Sequence, residues 1–151
     1  MYKTMDNDTI TVGELGVRFL VEAADSNGSA SVFECHVPAN SRMPAPHSHD
    51  GFEETIYGLE GATTWTIDSE RVDVGPGDAV CVRRGQIHGF ENRGDIDATF
   101  LAIATPGVFG PAYFREIAAV LAASAGGPPD LAAIGEVMRR HGLTPARPAT
   151  T

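Results

Sequence analysis

Two histidines and two glutamates lie close together in the sequence PHSHDGFEE. Because side chains alternate along an extended strand, His47 and His49 point to the same face, where their imidazoles can share one metal ion. The Asp-Gly pair that follows can turn the chain and bring a carboxylate of the next strand, from Glu53 or Glu54, to the same point. This stretch therefore predicts a metal site made of imidazole and carboxylate groups.

A third imidazole must come from another part of the chain, and His88 is the candidate. It follows a predicted strand at residues 79–82 and the turn residue Gly85. A lone histidine is usually a surface or hydrogen-bonded residue, and we interpret His36 and His141 in that way. His36 lies in a predicted strand without a neighbouring motif, and His141 ends a predicted helix, where a positive charge is favourable.

The elements that must position these residues are short strands. Apolar runs separated by turn residues recur roughly every ten residues from Thr9 to Ala104. Strands are predicted at residues 17–23, 29–37, 55–59, 62–67, 71–74, 79–82 and 98–104. So many short strands in one small domain indicate a sandwich or a closed barrel.

After residue 106 the apolar period becomes helical. Pro111 suits the first turn of a helix, and its apolar face follows at i, i+3, i+4 and i+7. The residues of that face are Phe114, Ile117, Ala118 and Leu121. Asp130 is a plausible N-cap for a second helix, and Gly142 is suited to end it. We therefore predict a barrel at residues 1–107 and a C-terminal extension at residues 108–151 whose two helices pack on it.

The spacing of the candidate ligands resembles the two motifs of the cupin superfamily. The first motif is Gly, five residues, His-x-His, three or four residues, Glu, six residues and Gly. Here Ser41 is followed by five residues, His47-Ser48-His49, four residues, Glu54, six residues and Gly61. The second motif is Gly, five residues, Pro-x-Gly, two residues, His, three residues and Asn. Here Gly77 is followed by five residues, Arg83-Arg84-Gly85, two residues, His88, three residues and Asn92. The resemblance covers residues 29–105.

This resemblance implies an all-β fold, a double-stranded β-helix or jelly roll, with a metal ion inside its mouth. It implies His47, His49, Glu54 and His88 as the metal ligands. Glu53 also fits the looser spacing, but only Glu54 keeps six residues before the next motif glycine. The chain departs from the family at two turn positions, where Ser41 replaces glycine and Arg83 replaces proline, and neither of these is a ligand position.

Three imidazoles and one carboxylate suit one divalent transition metal ion, namely Fe, Mn, Ni, Co, Cu or Zn. The set lacks the thiolates of many structural zinc sites. Four protein ligands leave open positions on a six-coordinate ion, which is what catalysis requires. The carboxylate of Glu54 can also act as a general base, so Glu54 is the predicted catalytic residue.

Composition limits the other partners of the chain. A formal net charge of −9 disfavours nucleic acid, and no apolar run is long enough to span a membrane. The first residues lack a secretory signal, so we expect a cytoplasmic protein. Both cysteines, Cys35 and Cys81, lie in apolar runs and are interpreted as small buried hydrophobic residues. The strand edges of a small jelly roll favour pairing, so a homodimer is expected.

Three functions are compatible with this set of residues. The first is a dioxygenase similar to quercetin 2,3-dioxygenase, with dioxygen as co-substrate and a small aromatic or enolic molecule as substrate. The second is a non-redox isomerase or cyclase, and the third is a small-molecule-binding cupin without catalysis. An apolar cavity is expected in each case. Its predicted walls are Ile56, Trp65, Ile67, Val80, Phe90 and Phe100.

Overall fold

The structure of the protein is a computed structural model that describes residues 8–147. Its strands are β1 (Ile10–Val12), β2 (Leu15–Val21), β3 (Ser31–Val37), β4 (His47–His49), β5 (Glu53–Glu60), β6 (Thr63–Ile67), β7 (Glu70–Val74), β8 (Ala79–Val82), β9 (His88–Glu91), β10 (Ala98–Thr105) and β11 (Leu143–Pro145). A short 3-10 helix, Ala23–Ser26, follows β2. Two α-helices, α1 (Pro111–Ala123) and α2 (Leu131–Arg140), lie between β10 and β11.

The strands form two antiparallel sheets. One sheet has the order β1-β2-β3-β10-β5-β8, and the other has the order β11-β4-β9-β6-β7. Side chains alternate between the core and the outer surface, as in β10, where Ala98, Phe100, Ala102 and Ala104 are buried and their neighbours are less so. The prediction of an all-β jelly roll with two short C-terminal helices is confirmed.

The helix α1 packs on the barrel through an aromatic cluster. Phe114 of α1 lies 5.7 Å from Phe19 and 5.1 Å from Phe33, measured between ring centroids. The helix α2 buries Ile134 and Met138. Neither helix is long and apolar enough to cross a membrane, a finding that concerns residues 8–147.

The helix ends follow the sequence pattern closely. Pro111 is the first residue of α1, and the carboxylate of Asp130 accepts a hydrogen bond of 3.0 Å from the amide of Ala133 at the start of α2. Gly142 adopts φ +78°, a conformation that disfavours side chains, and it ends the second helix. The carboxylate of Glu116 in α1 pairs with both Arg140 and His141, which ties the two helices together.

The strand β11 was not anticipated. It pairs antiparallel with β4, so that Leu143 lies opposite His49 and Pro145 opposite His47. The hydroxyl of Thr144 also donates a hydrogen bond of 2.7 Å to the carboxylate of Asp50. The sequence did not predict this strand because it is only three residues long and ends in a proline. Proline cannot donate a hydrogen bond to a neighbouring strand and is tolerated only at a sheet edge.

The motif asparagine, Asn92, joins the two sheets after β9. Its side-chain amide donates hydrogen bonds to the carbonyls of Val37 at 3.0 Å and Ile96 at 2.8 Å, and its carbonyl oxygen accepts one from Gly94 at 2.9 Å. The residue is buried. This position of the second motif therefore shapes the chain and does not face the candidate metal ligands.

We expect Asn92→Ala to lower the free energy of unfolding by about 2–4 kcal/mol, because three hydrogen bonds are lost and a buried carbonyl loses its donor. Urea denaturation of the two proteins measures the difference. Metal content of the variant should remain that of the wild type. A loss of stability below about 0.5 kcal/mol, the lower limit for one ordinary hydrogen bond, would contradict the structural role.

Candidate metal centre

Three imidazoles meet inside the barrel. His47 and His49 belong to β4, and His88 is the first residue of β9, where it lies opposite His47 in the antiparallel pairing of the two strands. One ring nitrogen from each residue lies within 4.8 Å of the others. The ring centroids are 4.5 to 5.2 Å apart, and all three side chains are buried. The structure thus brings together the three histidines that the spacing predicts.

Backbone carbonyls fix the orientation of two of these rings. Nδ1 of His47 lies 3.0 Å from the carbonyl oxygen of Ala45, and Nδ1 of His88 lies 2.9 Å from that of Gln86. A carbonyl oxygen can only accept, so each Nδ1 carries the hydrogen and each Nε2 keeps a free lone pair. Metal-binding histidines are commonly oriented in this way.

His49 gives the clearest indication that this group of histidines is suited to bind a metal ion. Both of its ring nitrogens are buried, and neither has a hydrogen-bonding partner among the described residues. The ring is held by apolar contacts, since it stacks on Phe52 at 4.2 Å and lies 5.4 Å from Phe109, measured between centroids. A buried polar atom without a partner is costly, and a metal ion would supply the missing one. The residues present therefore fit a metal ion.

The electrostatic environment keeps the three imidazoles uncharged. Burial and, to a smaller extent, the neighbouring imidazoles lower the pKa of His47 to about 3 and that of His49 to about 2. Burial also lowers the pKa of His88. Neutral imidazole is the form that binds a metal, so the lone pairs are available at neutral pH.

The two adjacent glutamates of β5 have opposite surroundings. Glu54 is buried and lines the central cavity, and burial raises its pKa to about 8. Glu53 forms an ion pair with Arg84, whose Nε and Nη2 atoms each lie 2.7 Å from its carboxylate oxygens. The hydrogen bonds from Arg84 lower the pKa of Glu53 to about 2. Of the two carboxylates, Glu54 is therefore the one that faces the cavity.

Glu54 does not belong to the tight group of ligand atoms, which comprises the three imidazoles. Its carboxylate shares the cavity with His47 and His88. Its role as the fourth ligand, or as the catalytic base, stays a prediction. Arg83, which replaces the proline of the second motif, is exposed on the surface.

The central cavity has a volume of about 60 Å³ and walls that are mostly apolar, with seven Phe, Tyr or Trp residues among them. Trp65, Phe90 and Phe100 line it, as expected. The other three predicted wall residues do not: Ile56 is fully buried in the core elsewhere, and Ile67 and Val80 are half-buried near strand ends. A cavity that holds benzene measures about 150 Å³, so this cavity in its present form suits a smaller molecule or group.

The cavity wall contains several residues that were not predicted to line it, among them Tyr113 and Cys35. Tyr113 enters from α1, outside both motifs, and it could have been found by extending the apolar helical face back from Ile117 by four residues. Cys35 of β3 was predicted to be buried but was not assigned to the cavity. The same prediction for Cys81 is wrong, because Cys81 lies on the outer face of the edge strand β8 and is exposed.

The two remaining histidines lie outside the site. His36 is exposed, with Nε2 3.2 Å from the carboxylate of Asp97. His141 follows α2 and pairs with Glu116. Both contacts agree with the interpretation of these residues as ordinary surface or hydrogen-bonded histidines.

Comparison with known proteins relates this arrangement to one family. Residues 33–104 match the family model described as a Cupin domain. Quercetin 2,3-dioxygenase of Bacillus subtilis (strain 168) is 27% identical over 115 residues, which are 74% of this chain. The chain spans only 32% of the length of that protein.

Solved structures share the fold. A predicted oxalate decarboxylase of Thermotoga maritima superposes with a TM-score of 0.62 and 24% identity, covering 68% of this chain and 94% of that one. The polyketide cyclase RemF of Streptomyces resistomycificus superposes with a TM-score of 0.61 and 28% identity. That match covers 77% of this chain and 92% of the cyclase. The activities named for these similar proteins differ from one another.

Proposed function

On the basis of the Cupin-domain match at residues 33–104, we propose that the chain is a metal-dependent enzyme, most simply a dioxygenase acting on a small enolic substrate. The observation that carries this proposal is the convergence of three buried, neutral imidazoles, one of which has no partner for either ring nitrogen. The similarity to quercetin 2,3-dioxygenase supports the type of reaction.

In this proposal His47, His49 and His88 hold the metal, and Glu54 completes the set. The bound metal supplies a Lewis acid that polarises a substrate oxygen, together with the redox chemistry of a transition metal. The walls of the cavity are mostly apolar, and its volume of about 60 Å³ suits a small group such as a carboxylate or a short enol.

Glu54 is the proposed proton acceptor. Burial alone favours the protonated form of this side chain, but a cation held by the three imidazoles would favour the carboxylate. The carboxylate lines the cavity and can take the proton of an enol or hydroxyl group. Loss of that proton leaves the substrate electron-rich, as reaction with dioxygen requires. The same proton removal can also begin an isomerisation or cyclisation that needs no dioxygen. Proton removal by Glu54 is therefore compatible with both redox and non-redox chemistry.

A second candidate is a non-redox cyclase or isomerase. It is favoured by the similarity to RemF, which extends over 77% of this chain and 92% of the cyclase. The match therefore reaches beyond the cupin domain at residues 33–104. In that case the metal and Glu54 would act on a carbonyl compound and its enol, and dioxygen would not be consumed.

Oxygen uptake separates the two candidates. We expect protein loaded with iron, manganese or nickel to consume oxygen with at least one member of a panel of small 1,3-diketones and hydroxyketones, which suit the cavity volume of about 60 Å³. An oxygen electrode gives the rate, and mass spectrometry identifies the product. Metal-stripped protein and the metal salt alone are the controls.

Two results would change the assignment. Conversion of a panel member without oxygen uptake would replace the dioxygenase with the cyclase or isomerase. Failure to bind any of the metals, seen as no change in melting temperature on metal addition, would contradict the metal-dependent function itself, because a ligand that binds the folded state must stabilise it.

A further inference from the structure

The cavity contains one polar group that the proposed chemistry does not use. Apart from the candidate metal ligands, its wall is apolar or weakly polar, with Cys35, Met43 and Trp65 among its members. The indole nitrogen of Trp65 already donates a hydrogen bond of 2.9 Å to Thr63. The exception is Tyr113, whose phenol group reaches the cavity from α1.

The hydroxyl of Tyr113 has no protein partner within residues 8–147, although the residue is only 5% exposed. The fully buried side-chain atoms without a partner among these residues are the two ring nitrogens of His49, so the hydroxyl oxygen of Tyr113 keeps some accessible surface and its proton is open to a ligand. Tyr113 and Glu54 line the same cavity. Burial raises the pKa of Tyr113, and the charge of Glu54 raises it further, so the hydroxyl keeps its proton.

The ring of Tyr113 is held in place on three sides. Its centroid lies 5.2 Å from Phe109, 5.1 Å from Phe114 and 5.6 Å from His141. His141 is itself fixed by Glu116, which also pairs with Arg140. The contacts between the two helices thus set the position of the phenol group, and a donor fixed in this way is suited to select a ligand.

We propose that Tyr113 is a specificity-determining residue that donates a hydrogen bond to an oxygen of the substrate inside the barrel. This inference rests on the proposed function and narrows its substrate class. The substrate would carry at least two oxygens, one for the metal and one for Tyr113, as in a carboxylate, a hydroxyketone or the enol of a diketone. The cavity volume of about 60 Å³ favours the small members of that class.

Ligand titration of cobalt-loaded protein tests the inference without a turnover assay. Acetate is the first probe, because one of its oxygens can bind the metal while the other accepts from Tyr113. Ethanethiol is the second, because its sulfur binds the metal and it has no further strong acceptor. The visible absorption of the cobalt ion reports the binding of both probes.

We expect Tyr113→Phe to weaken acetate binding about 10- to 100-fold, the range for a hydrogen bond to a charged group. Binding of ethanethiol should change less than about twofold, because phenylalanine keeps the shape of the ring and a sulfur ligand makes no strong hydrogen bond to the hydroxyl. The matched control is Tyr57→Phe, which removes the hydroxyl of a tyrosine that is 42% exposed and should change neither affinity.

Three results would overturn the inference. Acetate binding unchanged in Tyr113→Phe would show that the hydroxyl makes no such bond. A parallel loss for both probes would indicate that Tyr113 only supports the fold. If the wild-type protein takes up no cobalt, the proposed function fails and this inference fails with it, whereas the first two results overturn the inference alone.

Discussion

The variant His49→Ala is expected to lose stoichiometric metal and to bind a divalent ion more than about 100-fold more weakly, since changes to groups that merely orient a ligand already cost 10–100-fold. His49 is the central candidate ligand, because both of its ring nitrogens are buried without a partner in the part of the chain that the structure describes. Competition with a chromophoric chelator gives the affinity, and elemental analysis gives the stoichiometry.

The same variant should remain folded. Its ring forms no hydrogen bond within the described residues, so its removal leaves no protein group unpaired, and the loss is limited to packing against Phe52 and Phe109. His36→Ala is the matched control, because it removes an exposed imidazole from the outer surface. A His49→Ala protein that retained one tightly bound metal per chain would refute the assignment of the centre.

The variant Glu54→Gln is expected to lower the turnover number by about 10²- to 10⁴-fold, the usual effect of losing a general acid or base. Glutamine keeps the size of the side chain and removes its ability to accept a proton. Three imidazoles remain in the variant, so we expect it to retain metal with reduced affinity. Turnover is measured with the substrate found in the oxygen-uptake panel, alongside metal content.

The neighbouring residue provides the control for this experiment. Glu53→Gln makes the same chemical change one residue away, at a carboxylate that pairs with Arg84 and does not line the cavity. Its turnover should match that of the wild type. Equal turnover in Glu54→Gln and wild type would show that Glu54 has no role in the mechanism. Loss of both metal and activity in Glu54→Gln would indicate that Glu54 acts mainly as a metal ligand.

The candidate metal centre could be predicted from sequence because two of its histidines are neighbours on one short strand. The alternation of side chains along one short strand places His47 and His49 on one face, and the same alternation in β5 separates Glu54 from Glu53. His88 required the second motif, since the pairing of β4 with β9 joins residues far apart in the chain. The jelly roll followed from the same motifs and from the short apolar runs.

Other features of the centre leave no sequence signal. The carbonyls of Ala45 and Gln86 orient two imidazoles, and a backbone carbonyl is present at every residue whatever its type. Tyr113 reaches the cavity only because α1 folds back over the barrel, which is a non-local contact. The exposure of Cys81 depends on the position of β8 at a sheet edge, and an apolar run does not distinguish an edge strand from a central one.

The pairing of β11 with β4 joins this C-terminal strand to the strand that carries two of the candidate metal ligands. Backbone amides bridge the two segments beyond the ladder as well, from Asp50 to Gly142 and from Ala146 to Pro46. Detachment of the C-terminal segment would remove the backbone hydrogen bonds along one edge of the strand that carries His47 and His49. If the candidate centre binds a metal ion more tightly when that segment is docked, binding of the ion would stabilise the docked segment by the same free energy.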